Sequence, residues 1–365
     1  MSDSPIRVLC VFGTLNRGGA ETMCMNLLRN IDRDKVVFDF VKHTSAKCDY
    51  EDEIIALGGK IYAAPAFKVY NYFSYRKWWR EFLKQHEEYH IVHSHTLSSA
   101  VGFMKVARKA GRYTIIHVHS TGVRGSGIAA KVKLFLAQKS YSDALYRFAC
   151  SDAAGKWLYK DKSFTVINNA VDSARFTFDA DKRTIVREQL GISKDEKAIF
   201  VVASLSEVKN PLGALDIYSA IRRRNPNARL FWAGEGGMRG PMEQKIATEQ
   251  IPGVTLLGTR SDVPDLLQAA DAFMLCSFSE GLPVVTIEAQ AAGLPCLLSS
   301  AVTTEAAVTD LCTFLPIDQP ELWADAAEKA LTASRRDTRP EIIRAGYDIK
   351  ETSAWLTNFY LNCKG

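Results

Sequence analysis

The densest chemistry in this 365-residue chain lies in Ser277-Phe-Ser-Glu-Gly-Leu-Pro-Val-Val-Thr-Ile-Glu288. Glu280 follows an apolar run and precedes a Gly-Leu-Pro turn, and Glu288 falls inside a helix expected to start near Pro283. Proline suits a first helical turn, and the N–H groups there, at the positive helix end, face an anion such as a diphosphate. Two carboxylates so spaced bracket a polyhydroxyl ligand, each accepting hydrogen bonds from its hydroxyls. Glu288 sits among Val285, Ile287, Ala289 and Ala292. A buried carboxylate without a partner is costly, so a ligand or a paired group is implied. The bland alternative is a pair of surface glutamates on an amphipathic helix.

Lys209 stands in Ser204-Leu-Ser-Glu-Val-Lys-Asn-Pro211, between a strand and a helix. A lysine there meets phosphate as a point charge. Four of the seven histidines, His93, His95, His117 and His119, close two neighbouring strands, at the carboxyl ends where open α/β sheets bind ligands. Alternation turns each His-x-His pair to one face. Core histidines bonded to the backbone are the plain alternative. His-x-His also suits zinc, but no carboxylate or thiol completes a site in the sequence, so no metal is expected. The turn Asn16-Arg-Gly-Gly-Ala-Glu21 offers backbone N–H groups to a phosphate or sugar, or carries glycine for geometry alone. Its spacing is neither Gly-x-Gly-x-x-Gly nor Walker A, which counts against a dinucleotide oxidoreductase and an ATPase. The Asp-x-Asp pairs Asp32/Asp34 and Asp179/Asp181 end no apolar strand and read as solvated charges.

The elements that must position these groups are short β-branched runs alternating with helical segments. Strands are expected at Ile6–Phe12, Val36–Val41, Lys60–Ala63, Ile91–His93, Thr114–Val118, Tyr146–Cys150 and Phe164–Ile167. A second series follows at Ala198–Ala203, Arg229–Ala233, Val254–Leu257, Ala272–Leu275, Pro295–Ser299 and Thr313–Leu315. Alternation of this kind predicts doubly wound parallel sheets, run once over residues 1–171 and again over 172–347, with a hinge near Val171–Asp181. Residues 348–365 read as a last helix with Trp355, Leu356, Phe359 and Tyr360 on one face. It either caps the second domain or crosses back to the first.

Composition sets the class. Hydrophobic residues make up 47% and charged residues 24%, the balance of a globular protein, and no apolar run approaches the roughly 20 residues of a membrane helix. The opening residues lack a basic region followed by an apolar core, so no signal peptide is expected. Eight cysteines without a Cys-x-x-Cys pair fit small buried side chains in a reducing cytosol. Residues 1–170 carry 25 Lys and Arg against 15 Asp and Glu, a net +10 in a chain of net +5. One half is therefore expected to meet something anionic.

Taken together, the chain is similar to retaining glycosyltransferases of family 4, close to bacterial capsular and exopolysaccharide transferases. The resemblance runs through Gly18-Gly19-Ala-Glu21, Val92-His93-Ser-His95, His117-Val-His119 and Ile167-Asn-Asn169-Ala-Val-Asp172. It continues in Ser206-Glu-Val-Lys209-Asn, Gly234-Glu-Gly236, Leu257-Gly-Thr-Arg260-Ser-Asp-Val-Pro264 and the Glu280…Glu288 motif. It implies a GT-B fold, two Rossmann-like domains facing a cleft, and transfer of a hexose-type sugar from a nucleoside diphosphate sugar, UDP by the family's habit. It implies that Lys209 neutralises the diphosphate, Glu288 binds the ribose, and Glu280 binds sugar hydroxyls beside the N–H groups of Gly281, Leu282, Pro283 and Val284 (proline itself having none). His119 would lie near the reacting carbon, Arg260 near the base, and Gly18 and Gly19 near phosphate or acceptor. Glu21, His95 and Asn169 fall on the acceptor side. No cofactor or metal is implied.

This chain departs from the family where Gly-Arg-Leu is usual and Ala203-Ser204-Leu205 stands instead. A charge-assisted contact worth roughly 1.5–3 kcal/mol is thereby absent, unless Arg17, Arg239 or Arg260 replaces it. The alternative function is thus a weakly active or non-catalytic nucleotide-sugar-binding subunit. The expected acceptor is a saccharide or a polyprenyl-diphosphate-linked sugar. Residues 67–80 interleave aromatics and cations, and Lys131–Lys139 is basic and amphipathic. Both predict a cytoplasmic protein on the inner membrane face, with packing of Trp78, Trp79 and Phe82 onto the sheet as the competing reading. No nucleic-acid module accompanies the charge.

Overall fold

A computed structural model of the chain describes residues 4–122 and 127–363; Met1-Ser-Asp and Lys364-Gly365 lie outside the described residues. The chain divides into two compact units, Met1–Ala170 with Ile349–Gly365, and Val171–Asp348.

The first unit is built on β1 (Ile6–Phe12), β2 (Val36–Lys42), β3 (Ile61–Ala63), β4 (Tyr89–Ser94), β5 (Tyr113–Val118), β6 (Tyr146–Ala149) and β7 (Thr165–Val166). They form one seven-stranded sheet in the order β3-β2-β1-β4-β5-β6-β7, with every pairing parallel. The second unit repeats the plan with β8 (Lys197–Val202), β9 (Ala228–Ala233), β10 (Val254–Gly258), β11 (Ala272–Leu275), β12 (Cys296–Ser299) and β13 (Cys312–Leu315). Their order is β10-β9-β8-β11-β12-β13. The β-branched runs fold this way because both faces of a parallel sheet are covered by helices, so its strands tolerate near-continuous apolar sequence; β2, for example, is buried along its whole length. All thirteen predicted strands are present, β1 and β11 with the predicted ends and the others with an end displaced by one or two residues.

In each unit the order reverses between the first and fourth strands, β1/β4 and β8/β11. Such a reversal opens a crevice at the carboxyl ends of the two strands, where α/β folds bind ligands. The loops after β1, β4, β8 and β11 carry most of the residues singled out above.

The last helix, Ile349–Asn362, belongs to the first unit. Ile349, Leu356 and Tyr360 are buried in the same core as Cys10, Phe38, Ile91 and Phe148, one face of the first sheet. The chain passes between the units twice, and the second unit clamps the two passages together. Val171 donates its N–H to Tyr347 O at 2.8 Å, Val171 and Asp348 form a parallel bridge, and Ser173 Oγ donates to the Asp348 carboxylate.

Candidate functional site

In the second unit, Lys209 ends a short 3-10 turn, Glu207–Lys209, after β8. Asn210 follows in the left-handed region (φ 53°) and caps the helix Pro211–Arg224, its Oδ1 accepting from the N–H of Gly213 at 3.2 Å. Its Nδ2 donates to Cys276 O at 3.2 Å, and Phe278 N donates to Val208 O at 2.8 Å. These bonds tie the loop after β8 to the loop after β11. Lys209 Nζ consequently pairs with Glu280 Oε1, which also accepts from Ser277 Oγ at 2.7 Å. The sequence argument gave lysine and glutamate separate ligands; the fold makes them partners.

Glu288 lies in the helix Val284–Ala291, behind a turn in which Gly281 is exposed and Leu282 and Val284 are half-buried. Pro283 is the N-cap, one residue earlier than a first-turn position, and supplies no side-chain cap. The Thr286 hydroxyl in the first turn is buried without a partner. Burial pushes the Glu288 carboxyl up to about 7, against a downward pull from the Arg175 cation. Among the described residues that carboxyl has no hydrogen-bond partner.

Beside this loop pair, a cleft of about 340 Å³ is lined by Val202, Ala203, Ser204, Gly234, Thr259 and Arg260. Gly234 holds φ at +147°, and a Cβ there would strike the Ala203 carbonyl, so the two strand-end loops approach only because the residue is glycine. Ser204 is exposed, its hydroxyl 3.2 Å from that of Ser206. Arg260 is bound to Asp262 through Nε at 2.7 Å, and Arg239 to Glu243 through Nε at 2.8 Å. The two arginines of this unit offered as replacements for the missing cation are thus both held by carboxylates.

In the first unit, Gly18 caps the helix Gly19–Asn30 with extended backbone and no side-chain cap. The Glu21 carboxylate folds back over Gly18, where it meets the positive helix end that the Gly18-Gly19 turn would offer to phosphate. The histidines are brought together. His95, after β4, stacks on Phe12 at the end of β1 with centroids 4.3 Å apart, across the switch point. Its Nδ1 lies 2.9 Å from His119 Nε2, and His93 Nδ1 lies 2.7 Å from the Tyr360 hydroxyl. Burial lowers all four rings, His93 and His119 to about 3, so they are neutral at pH 7. No thiol was expected to complete a site with these histidines, yet thiols do lie beside them. Cys10 and Cys24 lie with His95 in one cluster, assembled by strand pairing from positions far apart in sequence. Asn169, after β7, is half-buried with its Oδ1 unpartnered. Sequence reasoning missed Ser277, Arg175 and Tyr360. Ser277 carried a signal, a hydroxyl three residues before Glu280; the other two carried none.

Two parallel sheets of this order, with polar groups gathered at their switch points, define the GT-B class. HepE of Anabaena, in complex with UDP and glucose, matches 98% of this chain and 100% of its own with a TM-score of 0.75 at 17% identity. WaaG, a glycosyltransferase involved in lipopolysaccharide biosynthesis, matches 96% of this chain and 95% of its own with a TM-score of 0.64 at 16% identity. The sequence profile of Glycosyltransferase Family 4 matches residues 17–175, and that of Glycosyl transferases group 1 matches residues 182–348. The chain is 31% identical over 375 residues to "Putative glycosyltransferase EpsF" of Bacillus subtilis, covering 99% of this chain and 97% of that protein. It therefore belongs to the group 1 glycosyltransferases. An Escherichia coli relative, UDP-Gal:alpha-D-GlcNAc-diphosphoundecaprenol alpha-1,3-galactosyltransferase, is 29% identical over 60% of this chain and 59% of its own length. Among the described residues no helix is long and apolar enough to cross a membrane.

Proposed function

We propose that this transferase moves a hexose-type sugar from a UDP-sugar, with retention, to a lipid-linked or free saccharide. The observation that carries the reading is the Lys209–Glu280–Ser277 cluster at the switch point of the second sheet. On donor binding Lys209 turns to the diphosphate. Glu280 and the open first turn of the Val284–Ala291 helix receive sugar hydroxyls and phosphate oxygens, and Glu288 accepts from the ribose. The diphosphate leaves under electrostatic stabilisation by Lys209 and backbone N–H groups. Attack comes from the same face, the glycosidic bond breaks as the new one forms, and the acceptor's proton passes to the leaving phosphate. His119, neutral, acts beside the sugar. UDP is supported by the UDP in the HepE structure and by the UDP-Gal in the name of the E. coli relative. The latter name also supports a diphosphate-linked lipid acceptor.

A second reading, a nucleotide-sugar-binding subunit with weak or no turnover, is favoured by one observation. Ser204 is exposed in the 340 Å³ cleft, and Arg260 and Arg239 beside it are already paired. A thermal-shift screen of UDP-, GDP- and ADP-sugars, followed by turnover with the best binder, separates the readings. Stabilisation with transfer supports the enzyme. Stabilisation without transfer to any lipid-linked or soluble acceptor supports the subunit, and stabilisation only by GDP- or ADP-sugars overturns the UDP assignment.

Attachment to an anionic membrane face is part of the proposal. On the helix Tyr72–Gln85 the aromatics divide by period: of the three residues of the packing alternative, Trp79 and Phe82 are buried and Trp78 is partly buried against them, with Tyr75 buried as well. Tyr70, just before its first turn, and Phe73, within it, are 82% and 83% exposed, among Lys68, Lys77 and Arg80. Phe135 and Val132 are exposed on the helix Gly127–Ser140, which also carries Lys131 and Lys139. Exposed aromatics interleaved with lysine and arginine fit headgroup depth and lipid phosphates.

A further inference from the structure

We propose that the first unit binds one late first-row divalent transition ion, of the zinc class, through His93, His95 and His117. Parallel pairing sets His93 of β4 opposite Ile115 of β5, so residues 93, 95, 115 and 117 alternate onto one face of the sheet. The imidazoles stack there, His93 on His95 at 4.3 Å and His93 on His117 at 5.5 Å between centroids. One ligand nitrogen from each of the three rings lies within 4.8 Å of the others. Tetrahedral coordination at 2.0–2.1 Å sets donor nitrogens about 3.4 Å apart, so the ion draws the three rings together and turns them out of their face-to-face stacking.

The polar atoms point to a ligand. His93 and His117 are 2% and 1% exposed, yet His93 Nε2, His95 Nε2 and both nitrogens of His117 are buried without a partner. Buried polar groups are normally hydrogen-bonded, and a core needing only flat rings would be filled by phenylalanine. The nitrogens that do have partners fit metal ligation. His93 Nδ1 faces the Tyr360 hydroxyl and His95 Nδ1 faces His119 Nε2. With Nδ1–H donated outward, each ring turns an Nε2 lone pair inward. Metal-binding imidazoles are held by an outer hydrogen bond of this kind, and imidazole donors select zinc, copper, nickel and iron over magnesium and calcium. Cys10 and Cys24 also form a cluster with His95, but it is the inward imidazole nitrogens, not the thiols, that are buried polar atoms left without a partner. The ion is a fastener between the first sheet and the last helix, through Tyr360, and takes no part in the sugar transfer proposed above.

The test uses full-length protein without a histidine tag, stripped with a chelator, desalted, and titrated with zinc chloride by calorimetry and with cobalt(II) chloride by visible absorption. One ion per chain, a raised melting temperature and a tetrahedral cobalt spectrum are expected. His90→Ala, at an exposed position, leaves binding unchanged. His93→Ala or His117→Ala abolishes it. Tyr360→Phe, which keeps the ring and drops the hydroxyl, weakens it about tenfold or more. Absence of saturable binding overturns the proposal, as does binding that survives His117→Ala but is lost in Cys10→Ser. If His117→Ala does not fold, Tyr360→Phe decides, and an unchanged affinity overturns it.

Discussion

Lys209 and Glu280, 71 residues apart in sequence, form an ion pair across the switch point of the second sheet. The pair is mostly shielded from solvent, with side chains 22% and 12% exposed, so each charge depends on the other until a ligand replaces one partner. Removing one partner of a shielded pair leaves the other uncompensated.

Lys209→Ala is expected to weaken UDP binding tenfold or more, the loss of a charge-assisted contact of about 1.5–3 kcal/mol, while uridine binding is unchanged. Glu280→Gln frees the lysine, so UDP binds at least as well as to the parent while transfer falls about a hundredfold. Calorimetry and turnover on both variants check this; equal losses for UDP and uridine in Lys209→Ala would make the lysine structural.

Glu288 titrates near pH 7 in the fold against an ordinary 4.5. Between those values the folded state binds the extra proton, so the carboxyl destabilises the ligand-free protein as pH rises through this window, by about 3 kcal/mol at pH 8. Glu288→Gln is expected to raise the melting temperature at pH 8 and to leave it nearly unchanged at pH 4.5. Nucleotide binding has the opposite sign, since the ribose hydroxyls donate best to the ionised form. UDP affinity in the parent falls about tenfold from pH 8 to pH 6, and Glu288→Gln loses both the affinity and its pH dependence. Thermal scans and calorimetry across this range decide the matter, and a Gln variant with parental UDP affinity removes the ribose assignment.

His119→Ala is expected to lower turnover at least tenfold with little change in UDP affinity. His117 is 1% exposed, so His117→Ala is expected to lower the melting temperature and to leave UDP affinity alone. Steady-state kinetics beside a binding isotherm test both, and the reverse pattern would mean the roles lie on the wrong histidine of the strand end.

The protein is expected to sediment with anionic vesicles at low salt and to leave them at high salt, since each cation at the surface contributes about 1 kcal/mol and is screened by salt. Tyr70→Ser with Phe73→Ser weakens that association without lowering the melting temperature, both side chains being over four-fifths exposed. Equal binding to neutral vesicles would sink the electrostatic part.

Much of this was legible in the chain because periodicity reports on burial. β2 and β11 show as apolar runs, and the turn from Glu280 to Glu288 shows as a change from strand to helix signals. What stayed hidden depends on pairing between distant positions. Nothing near Arg175 announces a carboxylate more than a hundred residues away, and nothing in Tyr360 announces His93. Cys10 and His95 become neighbours only through the β1/β4 pairing. Glu280 was legible as a carboxylate at a strand end, but its partner Lys209 was not, because the bonds from Asn210 to Cys276 and from Phe278 to Val208 join loops well over sixty residues apart.

The return of Ile349–Asn362 to the first core has a consequence for synthesis. The ribosome makes the β1–β7 sheet first, yet the helix that covers Cys10, Phe38 and Phe148 is made only after the whole second unit. At about 5–20 residues per second, the intervening second unit occupies the nascent chain for roughly 10–35 s. During that interval the part of this face not covered by the helix Gly19–Asn30 stands open beside the ribosome, so the unit begun first waits for the second before its core can close.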